Sequence, residues 1–456
     1  MTTAPDAPAI DELQGTFAGQ LLRPEDEGYE EARQIQNGMI DKRPALIARC
    51  LGVADIIDAV NFARDKGLEL SVRGGGHNIG GKALTDGGVM IDLSWMRGVQ
   101  VDPAARTARA HGGATWGEFN RETQIHGLAT TGGVVSSTGI AGLTLGGGLG
   151  WLMGKYGMAV DNLIAAEVVT ADGSVVRASE SENADLFWGL RGGGGNFGVA
   201  ASLEYRLHEV GPTVVSGLIA HPADQAKRVL GFYRELTSSL PDELTVYCAL
   251  LHAPDGSGVP LAAMILCHCG PMDEGERAVR PIKEFGSPVL DVVGPMSYDA
   301  TNRMLDAGSP KGALNYWKSS YLDELSDGAI DTLIEQFSTV PSQTTLMLIE
   351  HIHGAATRVG ETDTAFPHRS EGYNALFASQ WQDPSETERN VAWTRETYSA
   401  MEQYMSAGRY VNYLGEDEGE DPVAAAYGPN YERLRELKAK YDPDNLFRMN
   451  QNVRPK

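Results

Sequence analysis

Apolar positions recur along the first 210 residues at two spacings, and the switches between them mark the elements. Residues 44–50 are a near-continuous apolar run, the pattern of a buried strand. Val53, Ile56, Ile57 and Val60 follow at i, i+3, i+4 and i+7, which predicts an amphipathic helix that Gly67 stops. Residues 68–72 return to strand character. The stretch 44–72 is thus a β-α-β unit, and it runs into Arg73-Gly74-Gly75-Gly76-His77-Asn78-Ile79-Gly80-Gly81. Further strands are expected at 89–93 and 107–111, with a helix over 115–126. Residues 167–170 and 174–178 flank Ala171-Asp172-Gly173, a hairpin signal. A helix-like segment at 186–191 precedes a strand at 199–207. The lead-in before residue 40 is acidic, with one short helix expected within 24–36.

After Gly211-Pro212 the pattern changes. Strand-like runs at 214–220, 244–251, 261–267 and 346–352 alternate with helical periods at 223–240, 327–337 and 387–404. That is an α+β arrangement, an antiparallel sheet covered by helices. The C-terminal part returns to a tight pattern: Tyr410-Val411-Asn412-Tyr413, an acidic loop, and a helix over 431–441. The Asp442-Pro443-Asp444-Asn445 turn signal follows. The division expected is residues 1–210, 211–409 as a second domain covering the first, and a returning segment 410–456.

Glycine changes this picture most. The chain has 54, and clusters at 74–76, 80–81, 112–113, 132–133, 146–148 and 192–195 all fall in the first part. Successive N–H groups in such turns form anion-binding nests. Residues 130–150 are long, uncharged and rich in Gly, Ser and Thr, as suits backbone laid against a large, partly apolar, hydrogen-bonding ligand. A plain mobile loop or a tight surface turn carrying a histidine is the bland alternative. Gly193, Gly195 and Gly198 satisfy G-x-G-x-x-G, but a helix-like segment precedes them and a strand follows. The dinucleotide fingerprint needs the opposite order, so a Rossmann assignment is rejected.

Charge and cysteine narrow the partners. The formal net charge of −23 over 456 residues argues against nucleic acid and anionic membranes, and favours a small-molecule substrate. No run approaches a membrane span of ~20 apolar residues. The polar start lacks the basic and apolar regions of a signal peptide, so a cytoplasmic protein is expected. Cys50, Cys248, Cys267 and Cys269 make no disulfide framework. Cys267-His268-Cys269 sits in a strand-like run, where two thiols on one face are core residues, so no metal site is expected. Tyr316, Trp317 and Trp381 are rings suited to a substrate wall or to plain core.

Five ordered motifs carry a resemblance. They are Arg73-Gly74-Gly75-Gly76-His77, Thr138-Gly139 through Gly142 to Gly146-Gly147-Gly148, and Leu186 through Asn196 to Gly198. Tyr410-Val411-Asn412-Tyr413 and Tyr441 to Asn445 complete them. Together they resemble the berberine-bridge-enzyme-like FAD-linked oxidases of the vanillyl-alcohol-oxidase superfamily, over nearly the whole chain. The resemblance implies a two-part PCMH-type FAD-binding domain, with a substrate domain between its parts. It implies cofactor contacts from Arg73, Gly74, Gly75, Gly76, His77, Asn78, Gly80 and Gly81. Gly133, Val134, Thr138, Gly139, Gly142, Gly148, Gly198 and Val199 extend this set, as do Tyr410, Asn412, Asn450 and Asn452. His77 matches the histidine that bonds covalently to the 8α-methyl of the flavin. Many members add a cysteinyl tether at the position held here by Val135, so a single link is expected. Thr138 matches the gate position where a small residue admits oxygen, which favours an oxidase.

The resemblance also places a tyrosine beside the flavin. Tyr413 is the first choice of catalytic base, Tyr410 the second, and either requires a lowered pKa. Glu350 is the carboxylate alternative, with a surface ion pair as its bland reading. Alternation along 350–353 puts His351 and His353 on one strand face and Glu350 on the other. His351, His353, Trp317, His368 and Arg369 are candidate substrate contacts. The implied activity is oxidation of a sugar, an alkaloid or another secondary metabolite, with oxygen reduced to hydrogen peroxide. A dehydrogenase or nicotinamide-dependent reductase on the same fold, a flavin-binding protein without catalysis, and a colourless globular protein are the alternatives.

Overall fold

The computed structural model describes residues 7–415 and 420–456. The acidic loop expected after Tyr413 falls partly on 416–419, outside the described residues. Among the described residues three substantial sheets form. The first is the β-α-β unit: Leu46–Arg49, Val89–Asp92 and Leu70–Arg73 run parallel, with Gln20–Leu22 antiparallel at the edge. The helix Val53–Asp65 crosses over, burying Ile56, Ala59, Val60 and Ala63 against it. The second is an antiparallel sheet in the order Val99–Asp102, Thr107–His111, Val199–Arg206, Leu163–Val169, Val175–Ser179. It includes the expected hairpin. Thr115 and Glu118 form a capping box that starts the helix Trp116–Thr123.

The third sheet is antiparallel. Its order is Leu290–Asp291, Thr213–Pro222, Pro260–His268, Leu244–His252, Leu346–Ile352, Gly372–Trp381, Leu314–Leu322, and Gly294–Ser297 also pairs with Thr213–Pro222. Strands Leu314–Leu322 and Gly372–Trp381 were not in the sequence pattern. Helices Ala226–Thr237, Met272–Lys283, Asp327–Phe337 and Thr387–Met401 cover one face, packing on Met347, Ile349, Ala375 and Phe377. The other face presents Tyr247, Leu348, Leu376 and Ala378 to the glycine-rich region and to Tyr410. A period of two separates these faces residue by residue.

Buried polar contacts join the layers. Arg369 donates to both carboxylate oxygens of Asp161 at 2.8 Å, each side chain almost unexposed. The Asn37 amide donates to the carbonyls of Ile79 and Asn315. The C-terminal helix Tyr431–Tyr441 returns to the glycine cluster at 192–195, where the buried Lys438 ammonium donates to Asn196 O, Asp442 and Phe447 O. No helix among the described residues is long and apolar enough to cross a membrane.

Candidate active site

The strand Leu70–Arg73 ends at the triple glycine. A Cβ on Gly75 would lie 2.3 Å from Gly139 N, so two glycine loops touch backbone to backbone and no side chain fits at either position. Gly139 is the N-terminal boundary of a short helix, Ile140–Leu145, which the glycine density hid from sequence analysis. The loops bound a groove. Gly142 and Gly195 would set a Cβ in open space, and Ser137 and Gly142 are exposed.

His77 stands in this groove. Its Nε2 is 2.8 Å from Ser137 Oγ, and its Nδ1 is 3.5 Å from Thr138 Oγ1. Desolvation by the loops pushes its pKa down to about 4, against the pull of Asp306. The imidazole is therefore neutral near pH 7, and one ring nitrogen keeps a lone pair. Ser137 carried no motif signal; only the fold brings it to the ring.

Several expected cofactor contacts act inside the protein. The Arg73 guanidinium is buried and donates to Asp92 at 2.6 and 2.9 Å and to the carbonyls of Ala32 and Gln34. Its charge is committed to Asp92 rather than standing open at the nest. Asn78 Oδ1 accepts from Lys82 N. Gly81 (φ 67°) lies against Ile40, and Gly80 is buried with it. Gly74 and Gly76 flank the close approach, with Gly76 at φ 71°. Gly133 O accepts from Asn302, and Val134 beside it is half-buried. Gly148 donates to Tyr410 Oη. Gly198 and Val199 begin the strand Val199–Arg206, where Val199 pairs with Val169. Asn412 donates to Leu143 O and Tyr410 Oη, filling the space a Cβ on Gly146 would need. Asn450 donates to Gly195 O and Phe447 O. The Oδ1 atoms of Asn450 and Asn452 are buried without a partner. Unsatisfied acceptors beside a glycine cradle suit a ligand rich in hydroxyl and N–H donors, and FAD fits that description.

Tyr413 Oη donates to Glu350 Oε1 at 3.1 Å, and Asn374 Nδ2 donates to Oε2 at 2.6 Å. Glu350 has 1% exposure and no cation beside it among the described residues. Hydrogen bonds to a charged group contribute about 1.5–3 kcal/mol each, while burying a carboxylate costs several kcal/mol. Desolvation wins, and the carboxyl is pushed up to about 7 despite both donors. The same surroundings correct the tyrosine assignment. Burial and the neighbouring Glu350 push the Tyr413 phenol well above its ordinary value, so it remains a proton donor rather than a base. Tyr410 Oη accepts from Gly148 N, Leu149 N and Asn412 Nδ2, and burial pushes it to about 12. It is a fixed post. Of the three candidates, only Glu350 has a pKa matched to base chemistry near neutrality.

The register sets Glu350 in a polar row across four strands, Tyr247–Glu350–Asn374–Tyr321. The hydroxyls of Tyr247 and Tyr321 and Asn374 Oδ1 have no partner. Tyr247, Asn374 and Tyr321 were missed by sequence analysis, because cross-strand neighbours are invisible without register. Trp317 stands edge-on to Tyr413, ring centres 5.9 Å apart.

The histidines lie elsewhere. His351 points to the helix-covered face, stacked on His353 at 5.0 Å and near Tyr373. The period-two alternation that brings Glu350 in turns His351 away. His353 packs against Gly154. His368 donates through Nε2 to Ala426 O and leans on Tyr321. Arg369 is taken by Asp161. Burial pushes the Cys269 thiol up to about 12 and Cys267 upward too, while His268 Nδ1 accepts from Gly270 N.

A family profile described as FAD binding domain matches residues 44–179, and one described as berberine and berberine like matches 409–454. The chain is 32% identical over 453 residues to (R)-6-hydroxynicotine oxidase of Paenarthrobacter nicotinovorans, covering 96% of this chain and 97% of that protein. It is 29% identical over 451 residues to an FAD-linked oxidoreductase of Dictyostelium discoideum, covering 98% and 97%. The crystal structure of 6-hydroxy-D-nicotine oxidase from Arthrobacter nicotinovorans matches with a TM-score of 0.88 at 30% identity, over 96% of this chain and 98% of that one. These matches make the chain an FAD-linked oxidoreductase. Within that class the chain belongs to the berberine-bridge-enzyme-like family.

Proposed function

We propose that this enzyme oxidises a small organic substrate, holds FAD covalently through His77 alone, and uses oxygen as electron acceptor to release hydrogen peroxide. Bound FAD supplies the hydride acceptor. The observation that carries this role is Glu350, a buried carboxyl of pKa about 7 held by Tyr413 and Asn374, with the Tyr413 ring against Tyr410, which binds Gly148 of the second glycine loop. As carboxylate it takes the proton from the substrate O–H or N–H as hydride leaves the adjacent carbon. Tyr413 and Asn374 orient it, and Trp317 walls the substrate. The neutral His77 has the lone pair a tether needs. The cofactor domain is composed of residues up to about 210 plus 410–456. Support for this comes from contacts of Lys438, Asn450 and Val453 with residues 195–196.

Acid precipitation of purified protein tests the tether. Colour in the pellet for wild type and in the supernatant for His77→Ala is expected; colour in the supernatant for wild type removes the covalent link. Peroxide formed in step with substrate oxidation in air is expected. A reduced flavin that persists in air, or bleaches with NADPH, removes the oxidase role.

A further inference from the structure

Resting on the reading of His77 as the flavin tether, we propose that a turn from the middle of the chain, residues 306–309, clamps the His77 ring. Asp306 is thereby a positioning residue for cofactor attachment.

The contacts close a circuit around the histidine. On one side, Asp306 Oδ1 accepts from Ser136 N at 2.8 Å and Oδ2 accepts from Ser136 Oγ at 2.6 Å. Ser136 is buried, and the exposed residue after it, Ser137, sets its Oγ 2.8 Å from His77 Nε2. On the other side, Ser309 N donates to Asp306 O. Gln36 Nε2 donates to Ser309 O at 2.8 Å, and Gln36 N donates to Gly76 O, the residue before His77. The path from Gly76 through Gln36, Ser309, Asp306, Ser136 and Ser137 thus returns to His77. The turn itself is anchored to a central strand of the third sheet, where Gln380 Nε2 donates to Gly308 O.

The glycine loops alone hold the ring less firmly. Thr138 Oγ1 is 3.5 Å from His77 Nδ1, at the limit of a hydrogen bond. An imidazole has a broad χ2 preference, so the Ser137 hydroxyl decides how the ring faces. Asp306 fixes the residue before Ser137 by backbone and side chain together, through two charge-assisted bonds. Without it, a buried N–H and a hydroxyl lose a charged acceptor. The carboxylate is also near enough to pull the His77 pKa upward, against desolvation. Attachment forms a bond from a His77 nitrogen to the flavin methyl carbon. One methyl hydrogen and the imidazole N–H hydrogen are given up with their electrons, and oxygen takes them as hydrogen peroxide. The nitrogen lone pair must face that carbon, so the step depends on ring orientation.

Full-chain apoprotein, made without riboflavin and then given saturating FAD, tests the clamp by acid-precipitated absorbance over time. Asp306→Ala should slow covalent incorporation about tenfold. Asp306→Asn keeps an oxygen for Ser136 N and an amide for Ser136 Oγ, and should recover to within about threefold of wild type. Because Asp306 acts through Ser137, Asp306→Ala/Ser137→Ala should be no slower than Asp306→Ala. Additive losses would make Asp306 a docking contact only and overturn the proposal, as would a wild-type rate in Asp306→Ala. Nitrogen NMR of isotopically labelled histidine in the apoprotein, with His77→Ala to assign the signal, gives a second readout. His77 should hold a single tautomer in wild type and in Asp306→Asn, and a mixture in Asp306→Ala; the same populations in all three overturn the clamp. Wild-type protein that releases its flavin in acid removes the tether reading alone, and the tautomers then decide the clamp.

Discussion

Asp442 and Glu350 are carboxyls with almost no exposure, yet they are built differently. Asp442 has a cation 2.6 Å away in Lys438, itself fully buried, and also accepts from Leu446 N and Phe447 N. Glu350 has only neutral donors, an amide and a phenol. A buried ion pair is a fixed object: each charge holds the other in place. A buried carboxyl without a cation has its proton occupancy left open. That is costly for stability and useful for proton transfer. The Lys438 pair closes the C-terminal segment onto the glycine cluster; the unpaired Glu350 sits where chemistry is expected.

The largest expected effect is on activity at the unpaired site. Glu350→Gln keeps the hydrogen-bonding shape but removes the base, and should slow flavin reduction about 10²–10⁴-fold. Flavin content should be unchanged. Stopped-flow reduction by substrate measures this; a loss under about threefold would assign the proton to another group. Breaking the paired site should act on stability instead. Lys438→Met leaves Asp442 buried and alone and should cost about 3–5 kcal/mol, with much of it recovered in Lys438→Met/Asp442→Leu. Thermal unfolding with and without FAD reads both variants.

Smaller effects sharpen the contrast. Activity should rise with pH through about 7 as Glu350 ionises. Tyr413→Phe removes a donor to the carboxylate, so the midpoint of the pH–rate profile should move upward, not down. Stability carries the same signature with the sign reversed. The folded pKa of about 7 exceeds the ordinary 4.5, so the folded state holds a proton the unfolded chain has released. The stabilisation is complete below about 4.5 and lost as pH rises through 7. The melting-temperature advantage of Glu350→Gln over wild type should therefore widen across that window and then flatten. The smallest effect expected is in Ser137→Ala, which frees the His77 ring to rotate. Covalent flavin should accumulate several-fold more slowly, and Ser137→Thr should restore it, read from acid-precipitated absorbance over time. Equal rates would leave Ser137 without a part in orienting the ring.

Legibility in the sequence followed locality. The β-α-β unit, the hairpin around Asp172 and the helix at 327–337 depend on periods within one segment, and the pattern shows them. The helix Ile140–Leu145 was hidden because Gly139, Gly142 and Gly146 dilute its apolar stripe. Strands Leu314–Leu322 and Gly372–Trp381 were hidden because both faces are covered, one by helices and one by the glycine-rich region. Asn315, Ser319, Ser320, Asn374, Ser379 and Gln380 are all buried in them, so their polar positions do not mark a solvent-facing side. Glu350 was found as a carboxylate on the right strand. Asn374 and Ser137 were not, because each reaches its partner, Glu350 or His77, only through the fold. The sign of the Tyr413 shift had the same origin: a cation was needed, and the fold placed a carboxyl there.

The tie between Lys438 and Asn196 O spans 242 residues, and Val453 N reaches Asn196 Oδ1 from farther still. During synthesis the glycine cluster at 192–198 leaves the ribosome long before those partners exist. At ordinary translation rates the interval is on the order of tens of seconds. Through that interval the wall of the cradle lacks the residues that fix it, so the nascent chain lacks a completed place to load its cofactor. The glycine cluster held by Lys438, Asn450 and Val453 is thus completed late in synthesis, when the helix Tyr431–Tyr441 and the residues after it arrive, rather than with the folding of the first sheet.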